Sequence, residues 1–129
     1  MSGLASFLYV GVGGMAGAML RYGLSLATQR WSPVLPWGTL LSNLLGCFVI
    51  GVILHLALRS DAVTPEMRLL GAVGFCGGFT TMSSFIYETI EMIRSDAWLQ
   101  ASLYATGTLF GSAAAFFLGT ALVGALART

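Results

Sequence analysis

The chain has 129 residues, 57% of them hydrophobic and only 9% charged, and its mean hydropathy is +0.85. Soluble domains carry about 25% charged residues, so six arginines and five acidic residues cannot clothe a water-facing surface, and the composition is that of an integral membrane protein. A net charge of +1 leaves no basic face for nucleic acid and no polybasic stretch for anionic lipid.

The charges fall at Arg21, Arg30, Arg59, Asp61, Glu66, Arg68, Glu88, Glu91, Arg94, Asp96 and Arg128. Between them lie charge-free runs at 1–20, 31–58, 69–87 and 97–127. A helix rises about 1.5 Å per residue and the hydrocarbon layer is about 30 Å thick, so each run can cross once. The expected fold is all-α, with four transmembrane helices in one domain over 1–129. Four short helices leave little room for a polar pathway within one chain, which points to an oligomer.

The first helix is expected over 4–28. Ala16-Gly17-Ala18 resembles a cleavage site, but no basic segment precedes it and Arg21 follows it, so the segment reads as retained and not as a signal peptide. Arg21 can snorkel to an interface, bond helix-terminal carbonyls or help attract an anion. Pro33 and Pro36 mark the connection to the second helix, 37–58, where Thr39 and Asn43 share a face. His55, the one histidine, reads as interfacial.

The third helix, 65–94, starts with Thr64 as a cap and Pro65 in the first turn. Gly71, Gly74, Gly77 and Gly78 crowd its middle, followed by the polar run Thr80-Thr81-Met82-Ser83-Ser84. Each glycine costs a helix about 1 kcal/mol, so a break near 77–81 is one reading and close packing through small residues is the other. A break at membrane depth needs carbonyls that face protein or water, and such carbonyls coordinate ions. Thr80, Ser84 and Glu88 share a face beyond it. Glu88 either lies at a mouth or carries a proton, or it belongs to a solvated helix end with Glu91 and Arg94.

The fourth helix, 98–127, places Tyr104, Thr108 and Ser112 on one face, beside a small-residue face of Gly107, Gly111, Ala115 and Gly119. Trp31, Trp37 and Trp98 sit at helix ends as interfacial anchors. Cys47 and Cys76 form no metal or redox motif and read as packing residues. With four spans, Arg59, Arg68 and Arg128 share one side while Arg30, Arg94 and the nearby Arg21 share the other. Such a balance gives no preferred orientation; one reading is a chain that inserts both ways and pairs antiparallel, and the other is that so few charges decide nothing.

The polar tracks offer mostly donors: hydroxyls, the Asn43 amide, and the electropositive edge of Phe85. Such a lining suits a small, hard, strongly hydrated anion. Three stretches then carry a resemblance: Gly17-Ala18-Met19-Leu20-Arg21-Tyr22, Trp37-Gly38-Thr39-Leu40-Leu41-Ser42-Asn43-Leu44-Leu45-Gly46, and Gly74-Phe75-Cys76-Gly77-Gly78-Phe79-Thr80-Thr81-Met82-Ser83-Ser84-Phe85. With Tyr104 and Gly111-Ser112 they resemble, in order and over the whole chain, the Fluc (CrcB) fluoride channels.

That resemblance implies a fluoride-selective passive channel in the cell (inner) membrane, exporting F⁻ to lower cytoplasmic fluoride. It implies an antiparallel dual-topology homodimer with two pores, and a structural Na⁺ at the dimer centre held by backbone carbonyls of Gly77 and Thr80. It puts the fluoride pathway on Thr39, Asn43, Ser84, Phe85, Glu88, Tyr104, Thr108 and Ser112, with Arg21 as the helix-one arginine. The sequence departs at Met82, where the family usually has the first of two phenylalanines.

The rival from another class is a small multidrug-type proton-coupled exporter. Proton coupling needs a membrane-embedded carboxylate, which in that family lies in the first helix, and residues 1–20 contain none. A non-transporting subunit of a larger complex is the other alternative. An enzyme is not expected, because no nucleophile with a base, paired carboxylates or metal-ligand cluster stands out. The partners expected are a second copy, fluoride and membrane lipid.

Overall fold

A computed structural model describes residues 3–128. Among them every regular element is helical: α1 (Gly3–Thr28), α2 (Trp37–Arg59), α3 (Pro65–Arg68), a π-helical stretch (Leu69–Cys76), α4 (Gly77–Phe79), α5 (Met82–Arg94) and α6 (Trp98–Leu126). They compose four stretches long and apolar enough to cross a membrane, the third running from Pro65 to Arg94.

The surface has the polarity of a membrane protein. Phe7, Phe110, Phe117 and Leu58 are largely exposed, whereas Thr39, Ser42, Asn43 and Thr108 are buried. An aqueous domain distributes these residue types the other way round. The chain is a multi-pass membrane protein.

Local chemistry sets the element ends. Thr64 accepts a hydrogen bond from the Met67 amide at 3.2 Å, and Pro65 opens α3. Such a cap fills one of the unpaired amides of a first helical turn. At the end of α5, Asp96 takes φ 58°, its amide donates to Ile93 O, and Ala97 N donates to Met92 O at 2.9 Å. This is a Schellman closure with aspartate in the left-handed position usually held by glycine. It turns the chain tightly into α6, so that Phe85 and Tyr104 meet with ring centroids 5.4 Å apart.

Two backbone-on-backbone contacts hold the bundle. A Cβ on Gly17 would collide with Phe75 O and one on Gly78 with Gly14 O, so α1 lies directly on the π-helical stretch and α4. A Cβ on Gly119 would likewise collide with Phe48 O where α6 packs on α2. Small residues serve membrane helices in this way because association depends on close van der Waals approach. Gly107 does not take part: nothing lies within 4 Å of its Cβ position.

Between α4 and α5 the backbone is extended at Thr80 (φ −83°, ψ 157°) and Thr81 (φ −153°, ψ 123°). Gly77 and Gly78, the weak helix formers, stay helical. Extended geometry falls on the two β-branched residues, which favour it.

Candidate functional site: two polar cavities along α2, α5 and α6

Asn43 organises the extended residues. Its Oδ1 accepts from Thr81 N at 2.7 Å and its Nδ2 donates to Thr81 O at 3.1 Å. Thr81 Oγ1 in turn accepts from Ser84 N at 3.2 Å and caps α5. Because Thr81 N–H is taken by Asn43, it does not close the helical bond to Gly77 O. The neighbouring carbonyl, Gly78 O, accepts from Arg21 Nε at 3.1 Å. Arg21 therefore bonds a helix-terminal carbonyl, one of the readings open from the sequence.

An inner cavity of about 240 Å³ lies against this segment, lined by Asn43, Thr80, Met82, Phe85, Thr108 and Ser112, with Cys47, Thr81 and Leu109 completing it. The hydroxyls of Thr108 and Ser112 are buried and have no hydrogen-bond partner. A buried polar group without a partner costs about 1–3 kcal/mol. Both belong to residues that line this cavity. Phe85 is buried at its edge, whereas Met82 is 63% exposed.

One helical turn away, an outer cavity of about 330 Å³ is lined by Ser25, Thr28, Ser32, Thr39 and Glu88, among others. Thr39 Oγ1 donates to Glu88 Oε1 at 2.7 Å and Tyr104 OH donates to Glu88 Oε2 at 2.6 Å. Both carboxylate oxygens thus face hydroxyl donors from two other helices. Glu91 is not part of this cluster: it pairs with Arg94 at 3.2 Å on an exposed surface. The solvated reading therefore describes Glu91 and Arg94, and Glu88 belongs to the polar interior.

The structure brings together Thr39, Glu88 and Tyr104 at one level, and Asn43, Phe85, Thr108 and Ser112 at the next. Ser84 lines neither cavity and is held against Thr81 at the start of α5. Sequence reasoning missed the role of the Thr81 backbone and the wall formed by Ser25, Thr28 and Ser32. The three- and four-residue spacing of those hydroxyls was the available signal.

No group of three or more His, Cys, Asp or Glu that could hold a metal occurs among the described residues. Oxygen donors of the backbone and of hydroxyl side chains are the other groups that could hold a cation. Gly77 O is one such oxygen without its helical donor, since Thr81 N–H is taken by Asn43.

The family model described as CrcB-like protein, Camphor Resistance (CrcB), matches residues 8–120. The chain belongs to the CrcB family. Among its relatives, the fluoride-specific ion channel FluC of Chlorobaculum tepidum is 46% identical over 119 residues, covering 92% of this chain and 94% of that one. The protein of the same name from Thermus thermophilus is 45% identical over 125 residues, 96% of this chain and 98% of that one. A third, from Prosthecochloris aestuarii, is 44% identical over 118 residues and 92% of each chain.

Proposed function

We propose that this CrcB protein is a passive fluoride channel, in which F⁻ moves along the two cavities, the outer one between α1, α2 and α5 and the inner one between α2, α5 and α6. The observation that carries this reading is the pair of buried, unpartnered hydroxyls of Thr108 and Ser112 beside Asn43 and Phe85. Fluoride holds its water tightly, so a pathway must return hydrogen bonds as water leaves. Thr108 and Ser112 have donors free, and the Phe85 edge adds a weak positive field. Relatives 44–46% identical carry the name fluoride-specific ion channel, which supports the same ion here and gives the proton-coupled exporter no support. The name ion channel, carried by these relatives, supports a channel and not an enzyme here.

The finer assignments are part of the same reading. Thr39, Asn43, Phe85, Glu88, Tyr104, Thr108 and Ser112 form the pathway, with Met82 at its side, Arg21 fixing the end of α4, and Ser84 set back against Thr81. Thr80 and Thr81 interrupt the third span at membrane depth. Two chains pair antiparallel in the cell (inner) membrane, and the carbonyls of Gly77 and Thr80 from both hold a Na⁺ that is not transported. The freed carbonyl and open surroundings of Gly77 and the balanced arginines support that pairing.

Bacteria without their own fluoride export test the physiological reading. Expression of this chain should restore growth on fluoride medium, and Thr108→Val with Ser112→Ala should abolish the rescue. Equal rescue by the double variant would remove the pathway from this cavity. A cysteine introduced near the carboxyl terminus should be labelled from both sides of the membrane; labelling from one side alone contradicts antiparallel pairing.

A further inference from the structure

A third cavity, of about 380 Å³, lies at the carboxyl ends of α2 and α6, away from the proposed pathway. His55 and Arg59 reach it from one face of α2, Thr120 and Gly124 from one face of α6, and Arg128 from the turn just past the end of α6. No carboxylate among the described residues lines it. The single ion pair among the described residues is Arg94–Glu91, so neither guanidinium here has an acidic partner among them. His55 Nε2 is buried without a hydrogen-bond partner. A Cβ on Gly124 would lie 4.0 Å from that nitrogen, so a bulkier residue there would fill the floor of the cavity.

The charge balance favours an anion. Each helix carboxyl end contributes about half a negative charge, so two ends offset about one of the two guanidinium charges and leave the cavity net positive. Guanidinium forks match the oxygens of a phosphate, and His55 can donate from Nε2 in the tautomer that carries its proton there. The depth identifies the source of the phosphate. A 23-residue α2 is about 34 Å long at 1.5 Å per residue, slightly more than the hydrocarbon thickness, which puts Arg59 at the headgroup level. The sequence has no polybasic run; the two arginines meet only in the fold.

We propose that this cavity binds the phosphate of an anionic phospholipid, with Arg59 and Arg128 holding its oxygens and His55 beneath. The proposal rests on the membrane placement of the helices and is independent of which ion the channel conducts.

Native mass spectrometry of the full-length purified protein tests it, with phosphatidylglycerol and phosphatidylcholine of matched chains. The wild type should retain phosphatidylglycerol at least tenfold better than phosphatidylcholine. Arg59→Gln with Arg128→Gln should remove that preference, and Arg30→Gln, at the other end of the bundle, should keep it. Gly124→Leu leaves both charges and fills the cavity; it too should lose the preference, which keeps the test decisive if the double variant folds poorly. Equal retention of the two lipids by the wild type, or an unchanged preference in Gly124→Leu, would overturn the proposal. Displacement of the lipid by millimolar inorganic phosphate would overturn the lipid as the source.

Discussion

Asn43 and Thr81 are joined by two hydrogen bonds, side-chain oxygen to amide and side-chain nitrogen to carbonyl, at 2.7 and 3.1 Å. This pair gives the extended segment between α4 and α5 the backbone partners that a helix would have supplied. The same side chain lines the inner cavity. Asn43 therefore has a structural duty and a pathway duty, which variants can separate.

Asn43→Ala removes both bonds, each buried backbone group then costing about 1–3 kcal/mol, so the melting temperature and the fluoride flux should both fall. Asn43→Asp keeps an acceptor for Thr81 N–H but has no amide to donate and adds a negative charge beside the anion path. Its flux should fall by at least about tenfold, corresponding to about 1.4 kcal/mol on the barrier, with a smaller loss of thermal stability than Asn43→Ala. A fluoride electrode on liposomes and a thermal melt in detergent read the two effects.

Thr108→Val is nearly isosteric and removes a buried hydroxyl that has no partner. Its thermal stability should be unchanged or higher, because the desolvation cost of that hydroxyl disappears. Its fluoride flux should nevertheless drop about tenfold or more. A variant both less stable and fully conducting would show that the hydroxyl is structural.

Phe85→Ile should suppress flux strongly, whereas Met82→Phe should leave it largely intact. Phe85 is buried against Tyr104 and lines the inner cavity. Met82 is mostly exposed and contributes a polarizable thioether without a comparable positive edge. Flux measured on the two variants side by side decides; block by Met82→Phe with normal conduction by Phe85→Ile would put the path on the other face of α5.

Gly17→Ala places a methyl where Phe75 O sits, and overpacking of this kind costs about 1–3 kcal/mol. The melting temperature should fall clearly. Gly107→Ala, with open space at its Cβ position, should be neutral or slightly stabilising, since alanine is the better helix former. Similar losses in both would mean that glycine content, and not the α1 contact, sets the stability.

The four spans were legible in the gaps between charges, because the membrane imposes a length and a polarity that local sequence must meet. The alignment of Thr39 with Asn43, and of Tyr104 with Thr108 and Ser112, was legible for the same reason: helical periodicity is a local property. That Thr39 and Tyr104 both donate to Glu88 was not, since it depends on how α2, α5 and α6 are rotated against one another. The π-helical geometry over Leu69–Cys76 left no trace in the sequence either; it comes with the backbone contact between this stretch and α1. The glycine pair drew attention to the region, yet Thr80 and Thr81 are the extended residues, and their partner Asn43 lies 38 positions from Thr81. The cavity of His55, Arg59 and Arg128 was hidden in the same way, by residues from two helices that pack only in the fold.

The most direct test of the central claim is anion efflux from liposomes containing only this purified protein. Fluoride should leave rapidly and passively, chloride should be retained, and an imposed proton gradient should leave the fluoride rate unchanged. Retention of fluoride by proteoliposomes, chloride efflux at a comparable rate, or efflux that follows the proton gradient would contradict the account.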